Sequence, residues 1–152
     1  MTHEPGNPDS LSSSNVTSFC EDGAGRLWVG SFGGGVDVMD RHGGATRHLS
    51  HDPDDPRSLS SDRVTTIRRD RRGRMWIGTL DGGVNRVESA TGALTVFRHD
   101  PEEPDSLAAD GIMELFEDRQ GRMWVGTFGG GLDRFEPSTG TFAHLRHDPE
   151  DP

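Results

Sequence analysis

At 152 residues the chain has the length of one ordinary domain, yet apolar residues make up only 30% of it and glycine supplies 21 positions and proline 9. The core is therefore lean, no window suits an ordinary helix, and no stretch approaches membrane-spanning length. A formal charge of -10 argues against a nucleic-acid partner, which selects basic grooves, and Cys20, the lone cysteine, excludes an intrachain disulfide.

Met1 to Asn15 is polar, with Pro5 and Pro8, and it lacks the basic patch and apolar run of a signal peptide. Four short strand segments are predicted to follow, in the order of a meander. They are Val16 to Glu21, Arg26 to Ser31, Val36 to Asp40 and Thr46 to His51. The second contains Leu27-Trp28-Val29, apolar on both faces, as suits a strand buried between two layers. Asp22 to Gly25 forms a tight turn in which aspartate accepts local amides and glycine takes a positive φ, and Gly33 to Gly35 forms the next.

The same text then recurs at a constant offset of 48 residues. Strands are predicted at Val64 to Arg69, Arg74 to Thr79, Val84 to Glu88 and Leu94 to His99, and again at Ile112 to Glu117, Arg122 to Thr127, Leu132 to Glu136 and Phe142 to His147. The outer strands do not alternate cleanly: apolar residues fall three apart, as in Val16 and Phe19, which points to bulged pairing. Trp28, Trp76 and Trp124 share one position, and Gly30, Gly78 and Gly126 another. A unit of this size cannot bury a core alone, so the repeats must stack.

Three tight turns and one long link per repeat describe the blades of a β-propeller. The predicted fold is all-β, with three four-stranded antiparallel blades forming an open arc or part of a larger ring. Residues 1–15 are a linker remnant, 16–51 the first blade, 52–63 a linker, 64–99 the second blade, 100–111 a linker, 112–147 the third blade and 148–152 a remnant. Antiparallel alternation puts the second turn and the long link on one face, and the first and third turns on the other.

Three motifs carry a family resemblance. They are the acidic doublet before the first turn (Glu21-Asp22, Glu117-Asp118), the run G-x-[LM]-W-[VI]-G-[ST], and the step Gly34-Gly35-Val36, Gly82-Gly83-Val84 and Gly130-Gly131-Leu132. With the linker Arg98 to Leu107, they make the chain resemble the two-component regulator propeller repeat. The middle copy departs at Arg69, where the others carry glutamate. The resemblance implies an extracytoplasmic sensor segment of hybrid histidine kinases, periplasmic or extracellular, that binds a small molecule such as a carbohydrate. No kinase or phospho-accepting motif accompanies it here, and as written the chain reads as soluble, with no membrane contact.

Candidate chemistry is weighed against the repeat. The pairs His51-Asp52, His99-Asp100 and His147-Asp148 recur in every linker, so they read as structural rather than as a metal site or an acid/base dyad. The Asp-x-x-Gly turns offer too few oxygens for calcium, and no lysine or helix start follows the glycine steps, which excludes a phosphate loop. No cofactor, metal or catalytic residue is expected. The tryptophans read as interblade core rather than as a sugar platform. Binding residues on such a scaffold belong at positions that vary between copies and face one mouth. Asn15, Arg63 and Gly111 form one column, Ser14, Asp62 and Asp110 the next, and Gly33, Asp81 and Gly129 a third, beside Phe32, Leu80 and Phe128. Polar ligand contacts are expected above all from Asp62, Arg63 and Asp81. The alternative function is a self-associating or protein-binding scaffold. Because blades one and three each leave one apolar face without a partner in the chain, a homo-oligomer of six or nine blades, or further blades of a longer parent, is expected.

Overall fold

The structure is a computed structural model that describes residues 1–89, 91–146 and 148–150. Ala90 in the expected third turn of the middle repeat, His147 of the third His-Asp pair, and the end of the 148–152 remnant lie outside the described residues. The strands, in chain order, are β1 (Val16–Glu21), β2 (Arg26–Ser31), β3 (Gly35–Asp40) and β4 (Arg47–Leu49), then β5 (Val64–Arg69), β6 (Met75–Thr79), β7 (Val84–Val87) and β8 (Leu94–Phe97), and finally β9 (Ile112–Glu117), β10 (Met123–Thr127), β11 (Gly131–Glu136) and β12 (Thr141–Leu145). They form three antiparallel meanders in sequence order, and no helix occurs among the described residues.

The three-residue spacing of apolar side chains has a specific cause. The inner strand of each blade slips register against its neighbour, between Val16 and Ser18 on β1, between Val64 and Thr66 on β5, and opposite Gly126 and Thr127 on β9. A bulge inserts one residue, so Val64 and Ile67, or Ile112 and Leu115, end on the same buried side. The fourth strands are shorter than the sequence predicts. His51 and His99 leave the ladder because their amides donate to the carboxylates of Asp62 and Asp110, each at 2.7 Å.

Each interface between blades is a core of its own, in keeping with a repeat too small to fold singly. Trp28, Val36 and Val38 of the first blade pack on Leu59 of the linker and on Val64, Ile67, Met75 and Ile77 of the second blade. Trp76 and Val84 of the second blade pack on Leu107 of the linker and on Ile112, Leu115, Met123, Val125, Phe135 and Phe142 of the third blade. Burying each such aliphatic or aromatic side chain contributes about 1.5 to 3 kcal/mol before the entropy of ordering is counted. Trp28 and Trp76 are buried; Trp124, on the outward face of the third blade, is half-buried.

The recurring glycine of the second strand has a steric origin. A Cβ on Gly30 would come within 2.6 Å of Val64 Cγ1, and one on Gly78 within 2.7 Å of Ile112 Cγ2. Only glycine lets the blades approach this closely. The inner strands are also tied directly: Thr17 donates its hydroxyl to the Val64 carbonyl and Thr65 to that of Ile112, each at 2.7 Å.

Candidate functional site

The connections sort onto two faces, as alternation requires. On one face the end of each linker is sewn to the second turn of the preceding blade: the carbonyl of Asp62 accepts from the amides of Gly33 and Gly35, and that of Asp110 from Gly83. The column residues Asn15, Arg63 and Gly111 accept, through their carbonyls, from the amides of Phe32, Leu80 and Phe128. One face therefore holds the candidate binding positions.

Their side chains differ in what they do there. Asp62 and Asp110 turn their carboxylates inward to the amides of His51 and His99, so they brace the linkers. Arg63 and Asp81 face each other, with Nη1 3.7 Å from Oδ2, and more than half of each side chain is exposed. Ser61 fixes Asp81 by donating to Oδ1 at 2.5 Å, and the Arg63 guanidinium lies 5.9 Å from the centroid of the Phe32 ring. Phe32 and Phe128 are exposed aromatic rings on this mouth, and Leu80 is half-buried between them in sequence order. The structure thus brings together Phe32, Arg63 and Asp81, and sets Asn15 and Leu80 beside them through backbone pairing.

On the opposite face the first turns do more than cap. Asp70 accepts from the amides of Arg72 and Arg74 through Oδ1, and from Arg74 Nε and Trp76 Nε1 through Oδ2, at 2.7 to 3.0 Å. Asp22 and Asp118 repeat the pattern with Trp28 and Trp124. Burial alone would raise the Asp22 and Asp70 carboxyls, but the tryptophan, backbone and arginine hydrogen bonds outweigh it and hold both below the usual range. The Trp124 hydrogen bond leads the same downward shift at Asp118. Between these turns lie two equivalent clefts. Asp22, Gly23, Ala24, Trp28 and Met75 line one of about 250 Å³, and Asp70, Arg71, Arg72, Trp76 and Met123 line one of about 120 Å³.

A second set of residues escaped the sequence reading. Asp37, Asn85 and Asp133 are buried at one repeated position of the third strand, where their side chains accept from the linker amides of Ser12, Ser60 and Ala108. Where that residue is aspartate, the facing position of the fourth strand is histidine. His48 Nδ1 lies 2.6 Å from Asp37 Oδ1 and its Nε2 2.6 Å from the Pro8 carbonyl; His144 is held likewise by Asp133 at 2.6 Å and Pro104 at 2.8 Å. Carboxylate and carbonyl only accept, so these partners favour the ring that carries a proton on each nitrogen. The Asp37 and Asp133 hydrogen bonds raise both histidines above their usual value. In the middle blade the pair becomes Asn85 and Val96. This paired change at one offset is the signal that could have found it.

The paired His-Asp positions of the linkers are structural in their contacts: the Nδ1 atoms of His51 and His99 meet the carbonyls of Leu59 and Leu107. No group of three or more potential metal ligands occurs among the described residues, and no helix there is long and apolar enough to cross a membrane.

Three four-stranded meanders, side by side and joined by long links, define a segment of a β-propeller. The family model described as two component regulator propeller matches residues 10–33, 58–81 and 106–129, one match in each repeat. Each of the three repeats of the chain carries one match to that family.

Among solved structures, the chain is similar to the extracellular domain of a protein described as a hybrid two component system, BT3049 of B. thetaiotaomicron, with a TM-score of 0.82 and 24% identity over 95% of this chain and 20% of that one. A second B. thetaiotaomicron extracellular domain, described as from the one component system BT4673, gives 0.72 and 21%, with the same coverage of each chain. Virginiamycin B lyase from Staphylococcus aureus gives 0.65 and 15%, over 88% of this chain and 41% of the lyase. At these identities the likeness is one of fold. The chain spans a fifth of the length of the two extracellular domains and less than half of the lyase. No curated protein matches it.

Proposed function

We propose that the chain is a ligand-sensing segment of an extracytoplasmic propeller, which takes up a small molecule such as a carbohydrate at the mouth formed by Phe32, Arg63 and Asp81. The observation that carries this reading is the exposed Phe32 ring beside an exposed guanidinium and carboxylate, at positions the repeat does not constrain. A sugar ring offers an apolar face to an aromatic side chain and hydroxyls to a charged pair, which Phe32 and the pair of Arg63 and Asp81 suit. The periplasmic or extracellular placement rests on the neighbours, whose names describe extracellular domains. The chain has no catalytic output in this reading, because His48, His51, His99 and His144 are engaged in holding linkers.

Titration calorimetry against a panel of oligosaccharides tests it. One class should bind, and Arg63→Ala and Phe32→Ala should each weaken that binding by about tenfold, the equivalent of 1.4 kcal/mol. Binding indifferent to both substitutions, or none across the panel, overturns the reading. A scaffold role is the second reading, favoured by exposed Leu132 and Leu145 on the outward face of the third blade.

A further inference from the structure

The two clefts on the first-turn face share one frame and differ in what fills them. Asp22, Arg26, Trp28 and Met75 at the first correspond to Asp70, Arg74, Trp76 and Met123 at the second. The second is closed by two large side chains. Arg71 crosses it to Glu117, with Nε 3.4 Å from Oε1, and donates to the carbonyls of Asp118 and Arg119. It passes within 3.3 Å of where a Cβ on Gly121 would stand, and Phe135 narrows the floor. At the first cleft those two positions carry Gly23 and Val87. Gly73, the counterpart of Gly121, is correspondingly uncovered: the nearest atom to a Cβ there is that of Ser89 at 3.7 Å. The clefts measure about 250 and about 120 Å³ as a result. An apolar cavity of about 150 Å³ holds a benzene ring, so the first has room for one and the second does not.

The edge of the first cleft also differs in charge. Residues 68–74 hold five arginines and one aspartate, in a chain whose formal charge is -10. Carboxylates engage three of these arginines: Glu114 meets Arg68, Glu117 meets Arg71 and Asp70 meets Arg74. Among the described residues no ion pair engages Arg69 or Arg72, and both are exposed. Their counterparts Glu117 and Gln120 line the second cleft, so two cations flank the first where the second has a carboxylate and an amide. Arg47 of β4 lines the first cleft from the other blade, exposed and outside every ion pair among the described residues, and its counterpart is Thr95. The carboxylates that line the first cleft are already met: Asp22 by Arg26 and Trp28, and Glu88 by Arg86 Nε at 2.6 Å. Five exchanges at one offset thus converge on one cleft, two that open it and three that place a cation at its edge. Independent drift in solvated loops gives them no reason to meet.

We propose that the first cleft is a second binding site, on the face opposite the mouth, for a small anion with an apolar body, in its simplest form an aromatic carboxylate. The body lies on Trp28, Met75 and Val87, and the carboxylate meets Arg47, with Arg69 and Arg72 adding positive potential at the edge. An apolar floor with a few convergent polar groups is what small-molecule sites share, and a guanidinium matches a carboxylate with two parallel hydrogen bonds. Both walls come from the first and second blades, which the chain itself joins.

The three indoles report on this separately, because each donates to its own aspartate and, of the three, Trp28 lines the first cleft. The test is a proton–nitrogen NMR titration of the 152-residue chain with benzoate. The Trp28 indole signal, assigned with Trp28→Phe, should move and saturate while those of Trp76 and Trp124 stay. Benzylammonium, the same ring with the opposite charge, and acetate, the charge without the ring, should leave it in place. Arg47→Gln should weaken benzoate binding about fivefold, as loss of a partly exposed ion pair does. Arg69→Glu with Arg72→Gln, which copies the edge of the second cleft, should weaken it as much, and Val87→Phe, which copies its floor, should abolish it. Arg63→Ala at the mouth should leave it unchanged. No saturable shift at Trp28, an equal shift at Trp76, or a shift that benzylammonium or acetate reproduces overturns the proposal. So does benzoate affinity that neither Arg47→Gln nor the paired Arg69 and Arg72 substitutions change.

Discussion

A carboxylate that meets four donors within one turn behaves differently from a turn cap. The aspartate of Asp-x-x-Gly is legible as a cap because its spacing to glycine is local, but its bond to the tryptophan indole six residues on depends on the register of a hairpin. His48 and His144 were hidden for a different reason: they break off in the middle copy, and a reading that looks for what all repeats share passes over paired exchanges. Both sets bear on pH. The aspartates Asp22, Asp70 and Asp118 are lowered from 3.8, so the stability they contribute is full above that value and is lost as pH falls through their folded pKa. The histidines are raised from 6.5, so theirs is full below that value and is lost as pH rises through their folded pKa. Thermal stability should therefore be greatest between these limits. His48→Gln with His144→Gln should flatten the decline above 6.5, and an unchanged decline in a melting series would refute the assignment.

At the scale of elements, the strands were legible wherever glycine and aspartate turns bound an apolar run. The second strand was the clearest, and β6 is buried along its whole length, as its text requires. The fourth strand was the least legible. Its end is decided by a carboxylate eleven residues on, at Asp62 and Asp110, which no local pattern displays. The mouth residues were legible as a set because they vary among copies at one face. That Asp62 turns inward while Asp81 stays exposed could be known only from the contacts of the linker. The same strand position also differs in weight between blades. Trp76 sits among Phe97 and Phe135, with centroids 6.0 and 5.1 Å away, whereas Trp124 lines a half-open face. Trp76→Ala should cost about 3 to 5 kcal/mol, as loss of a buried aromatic does. Trp124→Ala should cost clearly less. Urea denaturation that ranks them equally would contradict the burial.

The whole molecule was legible from its period: one repeat that cannot fold alone, written three times, leaves a stack as the answer. Contact between sheets runs from β1 to β5 and from β5 to β9. The array is therefore linear, and its stability is the sum of unit terms and nearest-neighbour terms. A linear array opens from its ends, because a terminal unit must break one junction to unfold and a central unit two. In a chain of three blades, amide hydrogen exchange should then be slowest in β5 to β7 and faster in the outer sheets, whatever the hydrogen bonding of each strand. In a closed ring no unit is terminal. Neighbours on both end faces should bring all three sheets toward one exchange rate, so that closure would be read in the kinetics of the backbone, far from the contact that makes it.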